Sequence, residues 1–438
     1  MARIFQAKKK TPLNTKHFEV KVDKIDHHGT GIAFHNRKPV FIDGALPDEK
    51  VLIQLVEEKS KFAKAKLIKV LKPSDKRIQP FCPHYAQCGG CNMQHLSSDD
   101  QRDYKALALS GLFKKLAKQE LPLSETLSDE TPDYRRRVRF SVFWDKKLKQ
   151  LSFGFRKKQS KQIVDIDACP ILANELNALL PSLQACLSQF QHPERLGHVE
   201  LVKGDNTNIV LVRTIKALSE KDREQLAACC QSLNVTLYLH QGDEALERMF
   251  GEVGHYLEAG VTIPFEPVNF IQVNKKVNEK MVAQALDWLS LNSNDRVLDL
   301  FCGLGNFSLP IAKKVKSVIG VEGVQSMVDK ATDNAQLNQV DNVAFYQANL
   351  EQDISHKAWA EQQFDKVLLD PARAGATGIV DHIAKLGAQR VVYVSCNPAT
   401  LARDSQSLLA QGFTMTRLGM LDMFPHTSHL ESMALFER

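Results

Sequence analysis

The stretch "VVYVSCNPAT" sets Cys396 directly after an apolar run, in a turn made by Asn397 and Pro398. Most cysteines are inert buried thiols, and that reading suits Cys186, Cys229 and Cys230. Cys396 escapes it by position, because a thiol at the end of a strand can face a bound ligand. As a thiolate it could add to an electron-poor carbon and leave again once a base has removed a proton. The base expected is Glu431, which opens the last strand-like run in "FPHTSHLESMALFER". Its plain alternative is a strand-edge carboxylate, and His426 and His429 are rivals because imidazole titrates near neutrality without tuning.

A second concentration of reactive groups lies in "FCPHYAQCGGC", where Cys82, Cys88 and Cys91 are spaced C-x5-C-x2-C among proline and glycine. Neither a secretory leader nor an apolar run long enough to span a bilayer is visible, so the chain is expected to be cytosolic. In a reducing compartment clustered cysteines hold metals or do chemistry more often than they form disulfides. Zinc or an iron–sulfur cluster would each need a fourth soft ligand, and composition alone divides nearly evenly between them. Cys169 in "DACPIL" is the best candidate, being followed by proline as Cys82 is; His84 is a weaker substitute.

These residues need a scaffold. After Pro267 the sequence alternates strand and helix: "RVLDLF" ending in "CGLGN", then "FSLPIAKK", "SVIGVE", "VQSMVDKATDNAQLN", "VAFYQANL", "FDKVLLDPAR" and "RVVYVSCNP". That order predicts a doubly wound, Rossmann-like parallel sheet with its functional residues at the carboxyl ends of the strands. Gly303 and Gly305 would let the backbone turn sharply beside a cofactor, but Ser308 stands where a dinucleotide fingerprint needs its third glycine. Glu322 ends the second strand, where an acid can accept hydrogen bonds from ribose hydroxyls. Asp299, the glycine turn and Glu322 together resemble the S-adenosylmethionine-dependent methyltransferases, although Asp299 could merely brace the loop and Cys302 merely pack beside it. Beside such a cofactor a thiol has a specific task. Carbon 5 of uracil cannot attack a methyl group unaided, but a thiolate adding at carbon 6 makes an enolate whose carbon 5 can.

The net charge of +6 is unevenly spread: residues 1–80 carry 18 Lys/Arg against 9 Asp/Glu, and residues 135–161 carry 11 against Asp145 alone. The rest is acidic. This asymmetry points to a polyanion, and Phe140, Phe143, Trp144, Phe153 and Phe155 interleaved with the second basic run suggest nucleic acid, although alternation there also fits strands with one buried face. From Lys16 to about Lys72, short β-type runs divided by "HHGTGIAF" and "DGALPDE" suggest a small five-stranded barrel. Between them lies a strand-rich middle region that pattern alone does not fold. The expected division is residues 1–72, 73–267 and 268–438.

The segments "FIQVN", "DLFCGLGNFS", "LLDPARAG", "SCNP" and "HLES" jointly resemble the motif set of the RNA 5-methyluridine methyltransferases. That resemblance implies Cys396 as nucleophile and Glu431 as base, with cofactor contacts from Gln272, Phe301, Asn306, Glu322, Asn349 and Asp370. One departure stands out: Ala372 replaces the second proline of the family's DPPR, which bears on the loop around Arg373. The subgroup with this cysteine spacing resembles enzymes carrying a [4Fe–4S] cluster, implying Cys82, Cys88, Cys91 and Cys169 as its ligands in a central α+β domain. The N-terminal barrel resembles a TRAM domain, an RNA-binding module of OB-like form, and barrel and cysteines together imply 23S ribosomal RNA as the partner, with no membrane and no protein partner expected. Against this stand a cytosine-C5 RNA methyltransferase, disfavoured because the fourth strand ends in "DPAR" without a second cysteine, and a non-catalytic RNA-binding factor, which would need no nucleophile beside a cofactor pocket.

Overall fold

The structure is a computed structural model that describes residues 16–242, 244–352, 354 and 357–438. Residues 1–15, which carry part of the N-terminal basic excess, lie outside the described residues. The chain divides into two compact units: one of residues through Pro80 with 91–108 and 426–428, the other of residues 81–90, 109–425 and 429–438.

In the first unit, β1 (Phe18–Ile25), β2 (Thr30–His35), β3 (Lys38–Asp43), β4 (Lys50–Glu58) and β5 (Ala63–Lys72) close into a barrel in the order β1-β2-β3-β5-β4. Strand alternation explains the closure: Val51, Ile53 and Leu55 of β4 point inward onto Val20, Val22, Ile42 and Ala65, while their neighbours face water. The five-stranded barrel read in the sequence is present. Helix α1 (Ser98–Leu112) begins in this unit, with Asp99 and Asp100 in its first turn, where the helix dipole favours acids, and its last turn belongs to the second.

The second unit contains two seven-stranded sheets. The first comprises β6 (Arg137–Asp145), β7 (Gln150–Arg156), β8 (Ile163–Asp165), β9 (Leu196–Lys203), β10 (Asn208–Thr214), β11 (Thr236–Gln241) and β12 (Glu247–Phe250), in the order β12-β11-β10-β9-β6-β7-β8. Leu176 of α2 (Asn174–Asn177), Leu183 and Leu187 of α3 (Leu180–Ser188) and Leu226 of α4 (Glu220–Ser232) join Phe140, Phe153, Val199 and Val210 in one core. The interleaved aromatics therefore divide. Phe140 stacks on Phe153 and Phe155 inside this core, with ring centroids 4.8 Å apart in both pairs, and only Phe143 is largely exposed. The basic run divides too: Arg139 is exposed, whereas Arg136 is buried and Arg137 spends its guanidinium on Glu200 and the carbonyl of Pro267. Arg139, Arg156 and Arg213 line an open groove with Phe143.

The hairpin of β13 (Gly254–Glu258) and β14 (Val261–Phe265) leads to α5 (Lys275–Leu289), whose first turn Asn274 caps by accepting from the Val277 amide at 3.2 Å. Then come β15 (Arg296–Leu300), α6 (Ser308–Ala312), β16 (Ser317–Glu322), α7 (Gln325–Leu337), β17 (Val343–Gln347), β18 (Lys366–Leu369), β19 (Arg390–Ser395), α8 (Pro398–Ala410), β20 (Thr414–Leu421) and β21 (Glu431–Glu437). Their sheet runs β17-β16-β15-β18-β19-β21-β20, with the first five strands parallel and β21 antiparallel to both neighbours. Strands such as "VVYVS" are apolar throughout because both faces are covered. Strand order reverses between β15 and β18, so the crevice at their carboxyl ends is where a ligand belongs. Among the described residues no helix is long and apolar enough to cross a membrane.

Candidate active site

Four of the residues expected at the cofactor end or follow neighbouring strands at one edge of this sheet: Phe301 after β15, Glu322 at the end of β16, Asn349 after β17 and Asp370 after β18. Phe301 takes a left-handed φ of 66°, uncommon for a residue with a side chain, and Gly303 and Gly305 continue the turn at 55° and 93°. Glu322 accepts from the Gly303 amide at 3.3 Å on one oxygen and from Val324 at 3.2 Å on the other, which fixes its carboxylate at the mouth of the turn. Asp299 is wholly buried; its Oδ2 accepts the Ser308 hydroxyl at 2.5 Å, so it does brace the loop, while its Oδ1 has no hydrogen-bond partner. Burial pushes this carboxyl up to about 7, Ser308 pulls it back, and Asp370 and Glu322 push it higher. Cys302 is buried beside Gly320, as plain packing would have it. Asn349 is exposed and accepts from the Glu351 amide at 3.0 Å. Gln272 is buried ahead of α5, and Asn306 shares its amide with Asn278 and Tyr256.

The other end of the crevice holds charge. Cys396 is the first residue past β19, and the side chain of Asn397 caps α8 behind it by accepting from Ala399 at 3.2 Å. In the antiparallel register Ser395 stands opposite Ser432, and one step further along the two strands carries Cys396 to Glu431. Burial pushes the Cys396 thiol up to about 11, Glu431 and Asp370 push the same way, and Arg373 opposes them. Burial also holds Glu431 well above the usual carboxylate range, with Asp370 adding to the shift and Arg373 again opposing it. Asp370 itself is raised to about 7 by burial. Arg373 is thus the cation that acts on both Cys396 and Glu431.

The loop carrying Arg373 is strapped to α8. Its carbonyl accepts from Asn397 Nδ2 at 3.0 Å, Arg403 donates to the carbonyl of Ala374 at 2.9 Å, and the Ala376 amide donates to Asp404 at 2.8 Å. Tyr393 on β19 donates its hydroxyl to the same Asp404 at 2.7 Å. With Ala372 in place of proline, these hydrogen bonds hold the loop. His429 lies with Nδ1 3.4 Å from Arg373 Nη2, whereas His426 belongs to the first unit, where its amide donates to Gln101 at 2.8 Å.

The cysteine segment is fixed from several sides in the second unit. Gly89 donates to the carbonyl of Arg156 at 3.0 Å, and Lys158 donates to that of Gln87 at 2.8 Å. Cys169 is held by Asn177, which accepts its amide at 2.9 Å and donates to its carbonyl at 2.8 Å. Burial pushes Cys169 up to about 11, and Cys82 and Cys88 add to the shift. Cys88 is raised by burial as well, against the Gly90 amide that donates to its sulfur at 3.3 Å. Cys91 is counted in the first unit, and His84 is 3.1 Å from Asp167. Among the described residues no group of three or more His, Cys, Asp or Glu is spaced to hold a metal ion.

Sequence reasoning missed the Tyr393–Asp404 strap, since neither residue stands in a motif, and it quoted Arg373 only for its loop. The strand-end position of "DPAR" one strand from "SCNP" was the available signal for Arg373.

Residues 97–438 match the family model described as tRNA (Uracil-5-)-methyltransferase, and residues 14–68 match the TRAM domain. A relative from Vibrio campbellii (strain ATCC BAA-1116), the 23S rRNA (uracil(1939)-C(5))-methyltransferase RlmD, is 61% identical over 438 residues, 100% of both chains. Its namesake from Aliivibrio fischeri (strain ATCC 700601 / ES114) is 55% identical over the same span, again 100% of both. Among solved structures, the tRNA (uracil-54, C5)-methyltransferase of Pyrococcus abyssi in complex with S-adenosyl-L-homocysteine shares the fold, with a TM-score of 0.76 at 22% identity over 96% of this chain and 100% of that one.

Proposed function

This chain belongs to the tRNA (uracil-5-)-methyltransferase family, and from that premise we propose how it carries out S-adenosylmethionine-dependent methylation of carbon 5 of a uridine in 23S ribosomal RNA. It is an enzyme of that activity. The target we propose is uridine 1939, the position named for its relatives. The observation that carries the mechanism is the β19–β21 register, which sets a thiol against a buried carboxyl with one guanidinium facing both.

Cys396 attacks carbon 6 of the uracil as a thiolate, forming a carbon–sulfur bond and moving the ring's π electrons toward carbon 5 and the 4-oxygen. Its proton must be lost first, and the positive charge of Arg373 is what favours the thiolate against burial and two nearby carboxyls. Carbon 5 then takes the methyl group. S-Adenosylmethionine, when bound, supplies that methyl on a positively charged sulfur. Glu431 removes the proton from carbon 5, the carbon–sulfur bond breaks, and Cys396 leaves as thiolate from the 5-methyluridine. Glu431 must be ionised at that moment, and Arg373 favours this form too. The open Gly303–Gly305 turn and the fixed Glu322 carboxylate fit an adenosyl cofactor, and Gln272, Phe301, Asn306, Glu322, Asn349 and Asp370 would hold it.

Cys82, Cys88 and Cys169, with Cys91 next after Gly90 in the chain, would hold a [4Fe–4S] cluster. The closeness of Cys82 and Cys88 to Cys169 and the amide aimed at the Cys88 sulfur support soft-ligand duty. The cluster would cross-link the 81–90 segment to the loop of Cys169; methyl transfer requires no electron from it. Residues 1–72 and 73–267 would bind the RNA, and residues 268–438 would carry the chemistry.

The test uses anaerobically purified protein, S-adenosylmethionine and 23S RNA substituted with 5-fluorouridine. Fluorine cannot leave as a proton, so the reaction should stall with Cys396 bonded to one uridine, found by mass spectrometry after digestion. With cofactor and RNA both shown to bind, absence of the adduct removes Cys396 as the nucleophile. Iron and acid-labile sulfide analysis of the same sample tests the cluster.

A further inference from the structure

Arg136 is nearly inaccessible, at 4% exposure, and both terminal nitrogens of its guanidinium lack a hydrogen-bond partner. Such a group is costly to bury, and burial lowers its pKa although Tyr256, Asp205, Glu258 and Glu279 pull the other way. An apolar residue would fill the space at less cost, so the cation's retention calls for a use. Its contacts give one. The Arg136 Nε donates to the carbonyl of Gln272 at 2.7 Å, its own amide donates to Val273 at 2.9 Å, and its guanidinium carbon lies 4.9 Å from the centroid of the Tyr256 ring. A cation over the ring draws electron density from it, which makes the phenolic hydroxyl a stronger donor. That hydroxyl donates to Asn306 Oδ1 at 3.1 Å. Asn306 also exchanges amide hydrogen bonds with Asn278 at 3.2 Å in both directions, and Asn278 donates to the buried Glu258 at 2.5 Å.

Two of the proposed cofactor contacts, Gln272 and Asn306, are therefore backed by the same buried cation, one directly and one through Tyr256. The terminal nitrogens are inaccessible, so the cation acts from behind the site. We propose that Arg136 is a positioning residue for the cofactor: it fixes the backbone at Gln272 and, through Tyr256, sets which way the Asn306 amide faces. This inference rests on the functional reading above, since it names what stands behind that reading's cofactor contacts.

The experiment compares the full-length wild type with Arg136→Met, Arg136→Lys and Tyr256→Phe. Binding of S-adenosylhomocysteine is measured by calorimetry, kcat and KM for each substrate by methyl transfer, and folding by thermal melts. In folded Arg136→Met the dissociation constant and the KM for S-adenosylmethionine should rise about tenfold, as for loss of one buried hydrogen bond, with kcat and the KM for RNA held. Arg136→Lys should recover part of the loss by restoring a cation over the ring. Tyr256→Phe should weaken cofactor binding, and combining it with Arg136→Met should cost less than the two losses added. An unchanged cofactor KM in folded Arg136→Met overturns the inference, as does a loss shared equally by kcat and the RNA KM. Should Arg136→Met fail to fold, Tyr256→Phe decides: unaltered cofactor binding overturns the inference, and weakened binding with kcat held supports it. A wild type that binds no S-adenosylhomocysteine would instead sink the functional reading itself.

Discussion

The two ends of the crevice are built from different materials. The cofactor end relies on backbone geometry and fixed hydrogen bonds: a left-handed turn at Phe301, amides holding the Glu322 carboxylate, and side-chain amides locked to one another at Asn306 and Asn278. The thiol end relies on charge: Cys396, Glu431 and Asp370, all shifted upward by burial, with Arg373 opposing the shifts of the first two. Hydrogen-bonded geometry tolerates changes of pH, whereas a cluster of ionisable groups answers to each proton and each neighbour. Recognition of a constant cofactor suits the first construction, and a group that must change protonation state within one turnover suits the second.

Substitutions at the two ends should therefore fail differently. The largest effect is expected from Cys396→Ala, which should abolish turnover while S-adenosylhomocysteine affinity, by calorimetry, stays within about threefold of wild type; a collapse of cofactor binding would break the distinction between the ends. Next is Glu431→Gln, for which turnover should fall about a hundred- to ten-thousandfold while the covalent RNA adduct accumulates, visible on a denaturing gel. Arg373→Gln should raise the Cys396 pKa further. In the wild type, alkylation of Cys396 by iodoacetamide should speed up about tenfold per pH unit below a pKa of about 11, and the variant should be several-fold slower at each pH. Glu322→Gln should raise the KM for S-adenosylmethionine by about tenfold or less, with kcat held.

The smallest effect concerns stability. Asp299 has a folded-state pKa of about 7, above its unfolded value, so the stability it permits is complete at acid pH and is lost as pH rises from about 4 to about 7. Asp299→Asn should flatten the decline in melting temperature of the cofactor-free protein across that window, as read by differential scanning fluorimetry at matched ionic strength.

Much of this was legible because strand ends are legible. "RVLDLFCGLGN" and "VVYVSCNP" announce a buried strand and the turn after it, and in a doubly wound sheet that suffices to gather Phe301, Glu322, Asp370 and Cys396 at one edge. Glu431 was legible as the opening of a strand, but the strand's insertion between β19 and β20 was not, because pairing partners leave no local trace. The middle region resisted for the same reason. Its sheet pairs β6 with β9, strands separated by β7, β8, α2 and α3, and mixes one parallel pair, β10 with β11, into antiparallel neighbours. "RRRVRF", read as part of a run facing a polyanion, divides instead: its second arginine is interior and its third is consumed by Glu200 and backbone carbonyls. Burial of a charge depends on neighbours far along the chain, and single-residue chemistry cannot announce it.

The insertion of β21 between β19 and β20 also orders events in time. β20 precedes β21 in the chain but touches the sheet only through it, so β19 keeps an open edge until β21 arrives, and pairing partners that must close long loops form late. The strand that seals this edge is the one that carries Glu431. On the proposed mechanism, a folding intermediate lacking it would have Cys396 without the carboxyl opposite and could not resolve a methylated adduct, so sheet completion and the capacity for turnover would arrive in a single step.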